Sequence, residues 1–328
     1  MTAPSWRFGP TLRRGWVAIA LCGNFAAIAG APRVSTAAPA ADVPTVDASF
    51  RCTQLPRNGD EVATLETTLA GVPAILRVPR KVTRPPIVLW HGFGAPASER
   101  ALMEAMPLDD VAAVKVYLGL PLFGSRAPAG GNQELARRQT QDFARLLFKP
   151  AVVGAADELP SVVAALEQRG CMTPGQHIGL FGFSAGGTAA LVAMMQGKAA
   201  VDAAVLLNAS TGLDASVDAW QRALVKPYDW TPASRALAKE TDAIARAADV
   251  AREKTPPAIL ILQGGGDTVL TTAPAMALHE ALLPIYRRDR DEARLGMVVL
   301  PGVPHSWIED KTAAGEVRRD AAEWFVRY

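Results

Sequence analysis

Short apolar runs alternate with amphipathic stretches along most of this chain. Ile87-Val88-Leu89-Trp90, Ile178-Gly179-Leu180-Phe181, 203–207 and Ala258-Ile259-Leu260-Ile261-Leu262 carry no charged residue. Apolar runs of this length fit strands buried on both faces, as in a parallel sheet. Within 157–169, Leu159, Val162, Val163 and Leu166 recur at helical spacing, which predicts a helix with one apolar face. Further helices are predicted over 98–106, 189–195, 271–287 and 316–327. Residues 61–69 and 72–78 alternate apolar and polar positions around Ala70-Gly71, the pattern of an antiparallel hairpin. Residues 111–120 predict one more strand, and Val298-Val299-Leu300 a short last one. The βα rhythm predicts an α/β fold, a mainly parallel sheet with helices on both faces.

Two stretches interrupt the rhythm. Residues 130–154 form a long excursion with a helical middle, 133–148. Residues 211–257 carry helical periodicity over 215–225 and 232–251, and bring Trp220, Tyr228 and Trp230. Long connections in compact domains are usually functional, although local packing of the aromatics is the alternative.

The chain of 328 residues permits one large domain or two small ones, and its 49% hydrophobic content supplies a substantial core. A net charge of +2 argues against nucleic acid and against a stable membrane partner. The run Arg287-Arg288-Asp289-Arg290-Asp291-Glu292 interleaves acids with bases and reads as a solvated helix end. Nothing in the sequence bears on oligomeric state.

The N-terminus has the pattern of an export signal. Arg7, Arg13 and Arg14 precede the mostly apolar 16–28, and Ala27-Ile28-Ala29 is a cleavage pattern. Ser35-Thr36-Ala37 and Ala38-Pro39-Ala40 are rivals for the cleavage site. Residues 1–29 are therefore expected to be a signal peptide, 30–50 a disordered spacer, and 51–328 the folded domain of a periplasmic or secreted protein. Arg13-Arg14 leaves general and twin-arginine export open. Leu21 before Cys22 argues against lipidation. Without the signal, two of the three cysteines remain. Cys52 and Cys171 are expected to pair in an oxidising compartment, against the alternative of two buried thiols. No histidine or cysteine cluster has metal-ligand spacing, and no phosphate-loop pattern accompanies Gly264-Gly265-Gly266, so neither a metal nor a cofactor is expected.

The chemistry concentrates at Gly182-Phe183-Ser184-Ala185-Gly186. This G-x-S-x-G follows an apolar run and opens a helical stretch, the setting of a nucleophile elbow. Upstream, the 87–90 run leads into His91-Gly92-Phe93-Gly94. Downstream, the 258–262 run leads into Gln263-Gly264-Gly265-Gly266-Asp267, and Val298-Val299-Leu300 leads to His305. Ser, Asp and His thus follow strands in the chain order of the α/β-hydrolases.

From about residue 60 onward the chain resembles that superfamily, nearest to small bacterial esterases of the dienelactone-hydrolase and prolyl-oligopeptidase-like groups. It departs from dienelactone hydrolases proper, which use a cysteine where this chain has Ser184. The resemblance implies an α/β-hydrolase fold and makes the insertion 211–257 a small helical cap. It implies Ser184 as nucleophile, His305 as base and Asp267 as its orienting acid, with Asp214 a competitor for the last role. The backbone amides of Ala185 and Phe93 become the oxyanion hole. His91 is then a loop-shaping residue, His177 lies at the far end of the elbow strand, and His279 lies in a helix. Leu122, Phe123, Asn208, Trp220, Tyr228, Trp230 and Trp307 are candidates for lining the pocket. The expected activity is cleavage of a small-molecule carboxylic ester through an acyl-enzyme. A peptidase, an amidase and an acyltransferase share the triad, and a non-catalytic binding protein is the alternative of another class.

Overall fold

The structure, a computed structural model, describes residues 50–55 and 61–328. The expected signal peptide, and the spacer up to residue 49, lie outside the described residues.

Eight strands form one sheet in the order β1-β2-β4-β3-β5-β6-β7-β8. β1 (Val62–Leu69) and β2 (Val72–Pro79) form the expected antiparallel hairpin, and β2 also runs antiparallel to β4 (Lys115–Leu118). From β4 onward every pairing is parallel, through β3 (Ile87–Trp90), β5 (Ile178–Phe183), β6 (Val201–Leu207), β7 (Ala258–Gly264) and β8 (Leu295–Leu300).

Successive side chains on a strand point to opposite faces, so each apolar run feeds two cores. On β6, Ala204 and Leu206 join one core while Ala203, Val205 and Leu207 join the other. One face is covered by α1 (Glu99–Ala105) and the C-terminal α9 (Lys311–Arg327). The other is covered by α3 (Gly154–Gln168), α4 (Ala185–Gln196) and α8 (Thr272–Asp289). Every residue of α4 from Ala185 to Met195 is buried, which explains its lack of a polar face.

Three elements differ from the sequence reading. The strand expected over 111–120 is confined to β4. Its first residues turn instead, with Ala113 N–H donating to the Val111 carbonyl. The helix expected over 133–148 divides at Asp142 into α2 (Gly131–Asp142) and a π-helical segment (Phe143–Val153) that continues into α3. Asp142 has extended backbone, and its carboxylate accepts from Arg145 N–H (3.0 Å), so it ends one helix and caps the next. Residues 232–251 divide in the same way into α6 (Pro232–Thr241) and α7 (Ala247–Val250), between which the Asp242 carboxylate accepts from Ile244 and Ala245 N–H. With α5 (Leu213–Leu224), these make up the helical insertion.

Cys52 and Cys171 are disulfide-bonded, across a sequence separation of 119. Cys52 N–H also donates to Arg169 O, and the Arg169 guanidinium lies over the Phe50 ring. The bond ties the segment before β1 to the end of α3. For a loop of this length the chain-entropy account gives about 5 kcal/mol.

Candidate active site

β5 ends at Phe183 and α4 begins at Ala185, so all the turning falls on Ser184. Its backbone sits at φ 52°, ψ −118°, a left-handed conformation that a residue with a Cβ adopts only under constraint. The constraint is visible. Ser184 N–H donates to Leu207 O on β6, and Ser184 O accepts from Gly187 and Thr188 N–H. The flanking glycines permit the close approach. A Cβ on Gly182 would lie 2.4 Å from Gly186 O, and one on Gly186 would lie 2.4 Å from Trp90 O. The turn therefore holds the serine hydroxyl at the carboxyl ends of the strands.

His305 and Asp267 arrive there on two other loops. Asp267 closes the tight turn after β7, with its N–H donating to Gly264 O (3.2 Å). Its Oδ1 accepts from Val269 and Leu270 N–H, both at 2.8 Å. Its Oδ2 is left to accept from His305 Nδ1, at 2.7 Å. The opposite ring nitrogen, Nε2, lies 3.1 Å from Ser184 Oγ. The carboxylate side chain is fully buried and the imidazole 14% exposed. With the Nδ1 proton held by the carboxylate, Nε2 presents a lone pair to the serine hydroxyl. The arrangement can move a proton from Ser184 to His305.

The competing residues stand elsewhere. His177 pairs with Asp202 at the other end of β5 and β6 (2.9 Å). His279 lies on α8. Asp214, in the first turn of α5, has its carboxyl raised by burial and by Asp242 and Asp218.

His91 is fully buried. Its Nε2 accepts from Leu120 N–H (3.1 Å), so Nδ1 carries the proton and donates to Gly92 O (2.7 Å). It joins the loop after β3 to the loop after β4, and burial lowers its imidazole to about 4. Between about pH 4 and 6.5 the unfolded chain binds a proton here that the folded chain does not. Stability should therefore decline as pH falls through that window, by about 3 kcal/mol from this residue. Urea unfolding at pH 7 and pH 4 checks it: His91→Gln should show a smaller pH loss than the wild type, and equal losses would refute it.

The cleft beside Ser184 has a volume of about 50 Å³ and is mostly apolar. Phe93, Gly94, Ala185, Val269 and Leu270 line it. Ser216, Ala219 and Trp220 of α5 close it, together with Phe143 and Ser210. Ala185 opens α4, where the first backbone N–H groups have no intrahelical acceptor. Phe93 and Ala185, the expected oxyanion pair, thus flank the serine in one cleft.

Of the seven residues considered for the pocket, Trp220 lines it. Phe123 lies behind, stacked on Phe93 at 4.8 Å. Leu122 packs against the core, and Trp307 is fully buried on the α9 side. Asn208 is buried beneath the loops. Tyr228 and Trp230 stack edge-on behind Trp220, and Tyr228 Oη donates to Asp142 Oδ1 (3.0 Å). The aromatics of the insertion therefore do both things considered for them: one faces the cleft and the others pack locally. Ser216, Ala219 and Trp220 were readable as one helix face from their spacing.

Residues 141–328, more than half of the chain, match the prolyl oligopeptidase family (Peptidase_S9). The chain belongs to the prolyl oligopeptidase family. It is a serine hydrolase with the α/β-hydrolase fold. Solved structures agree on the fold. TT1662 from Thermus thermophilus shares 18% identity over 80% of this chain and 98% of its own, with a TM-score of 0.59. The acylaminoacyl peptidase of Pyrococcus horikoshii shares 14% over 81% of this chain, with a TM-score of 0.57, and the match spans 41% of that peptidase. An esterase/lipase from an uncultured bacterium shares 16% over 83% of this chain and 87% of its own, with a TM-score of 0.52. No curated protein matches the sequence.

Proposed function

We propose that this family member is an exported carboxylesterase acting on short-chain, soluble esters through an acyl-enzyme. The observation that carries the catalytic part is the unbroken path from Ser184 Oγ through the His305 ring to Asp267 Oδ2. In the proposed reaction Ser184 Oγ attacks the ester carbonyl while its proton passes to His305 Nε2. Asp267 stabilises the imidazolium. The Ala185 and Phe93 backbone amides donate to the oxyanion of the tetrahedral intermediate. Collapse breaks the bond to the alcohol, which leaves with the proton from His305. Water then attacks the acyl-serine, giving its proton to His305, and the acid departs as Ser184 recovers that proton.

The ester and chain-length part rests on the cleft. The cleft is narrow, about 50 Å³, and mostly apolar. Apart from Ser184 and His305, its described lining residues carry the hydroxyls of Ser210 and Ser216, 2.7 Å apart, and the Trp220 indole N–H, which is spent on Gln139 O (3.0 Å). Among the described residues no Lys or Arg lines it, which fits neutral acyl groups better than phosphorylated or polyanionic ones. Peptide cleavage is the second reading, favoured by the family match. A p-nitrophenyl ester series from two to sixteen carbons, beside peptide p-nitroanilides, tests both. The expected result is fastest turnover on short acyl chains and little on peptides. Best turnover beyond about twelve carbons would refute the small-pocket argument, since each buried methylene contributes about 0.8 kcal/mol only where it can be held. Faster cleavage of the anilides would establish the peptidase reading.

Export rests on the basic and apolar N-terminus and on the disulfide, a bond that persists in oxidising compartments. N-terminal sequencing of the mature protein from a periplasmic fraction should find a start between residues 29 and 41. An intact Met1 would overturn it.

A further inference from the structure

Asn208 lies outside the proton path, yet its side chain joins the two loops that form it. It is the first residue past β6 and fully buried, with a left-handed backbone at φ 43°. Its Oδ1 accepts from Gly264 N–H at 2.7 Å, at the end of β7 and three residues before Asp267. Its Nδ2 donates to Pro304 O and His305 O, each at 3.3 Å. The two loops also meet directly, with Gly266 N–H donating to Val303 O (3.0 Å). Asn208 thus spans the acid loop and the base loop from below, anchored to β7 by its own N–H on Leu262 O (2.9 Å).

The position makes narrow chemical demands. It needs one acceptor for Gly264 and donors for two carbonyls, which a primary amide supplies and a carboxylate cannot. It also needs a left-handed backbone, which asparagine tolerates better than most residues with a Cβ. We propose that Asn208 is a positioning residue that fixes the His305 loop against the Asp267 loop, and so sets the His305 ring between Asp267 and Ser184. The proposal rests on the triad reading above and adds a fourth residue that does not touch substrate.

Two substitutions test it. Asn208→Gly removes the side chain while keeping a residue suited to positive φ. Asn208→Asp keeps an acceptor for Gly264 but sets a carboxylate oxygen against the two carbonyls. Both should fold, as judged by near-ultraviolet circular dichroism. Each should lose about 100-fold in kcat on p-nitrophenyl acetate with KM within threefold, the cost of a misplaced catalytic group. The downfield proton resonance of the His305–Asp267 hydrogen bond should broaden or vanish in both, an effect that mere loss of stability would not produce in folded protein. A kcat within threefold of wild type in either variant, an unchanged resonance, or a loss carried by KM would overturn the proposal. Ser184→Ala, assayed alongside, separates the two readings. If it stays active the triad reading fails; if it is inactive while Asn208→Gly matches wild type, only the positioning role fails.

Discussion

Ser184→Ala should lose about a millionfold in turnover of p-nitrophenyl acetate, a barrier increase of roughly 8 kcal/mol. The size follows from what the substitution removes. In the proposed acyl-enzyme route Oγ is the attacking atom of acylation and the leaving atom of deacylation, and His305 Nε2 loses the group that lies 3.1 Å away. The fold should be untouched. The elbow is held by the Ser184 backbone on Leu207, Gly187 and Thr188, and by the missing side chains at Gly182 and Gly186. Alanine keeps all of these, and it carries the same Cβ at the same positive φ. Some rate above the uncatalysed reaction should persist if, as proposed, the amides of Ala185 and Phe93 polarise a bound carbonyl. A fluorophosphonate probe should label the wild type and not the variant. Activity within tenfold of wild type, or undiminished labelling, would remove Ser184 from its role. Labelling of the wild type also separates an enzyme from a binding protein on a hydrolase fold.

The backbone of the site was legible in the sequence because it rests on local chemistry. Gly182, Ser184 and Gly186 mark the elbow by spacing, and the apolar runs before Asp267 and His305 mark the strands that deliver them. Parallel strands buried on both faces leave no alternation to misread, so β5, β6 and β7 were found within a few residues. Helix ends were harder. Asp142 and Asp242 interrupt stretches whose apolar periodicity continues beyond them, and each turns the chain by accepting backbone N–H groups. A capping residue inside a periodic run is the signal that was available. The pocket walls were least legible. Trp220, Tyr228 and Trp230 have the same composition signal, yet only Trp220 reaches the cleft, because its neighbours are held by Asp142 and by one another. Asn208 shows the same limit. Its three partners lie far along the chain, at the end of β7 and on the His305 loop, and nothing next to it in sequence announces them.

Asp267→Asn should lose about four orders of magnitude in turnover, roughly 5.5 kcal/mol, with the fold intact. The argument is one of proton placement. Oδ1 of Asp267 accepts from Val269 and Leu270 N–H, both at 2.8 Å, so that position must remain an oxygen. An asparagine here is therefore forced to point its amide nitrogen at His305 Nδ1, now 2.7 Å from Oδ2. That amide donates, so Nδ1 must accept and the ring proton moves to Nε2. A protonated Nε2 cannot take the proton of Ser184 Oγ. The variant keeps the ring in place and reverses its tautomer, which is why the loss should far exceed that of a merely loosened hydrogen bond. His305→Ala should fall at least as far, since it removes the proposed base outright. His177→Ala, His279→Ala and Asp214→Asn should each stay within threefold of wild type. Rates on p-nitrophenyl acetate decide the assignment. Asp267→Asn within tenfold of wild type, or an equal loss in Asp214→Asn, would transfer the orienting role away from Asp267.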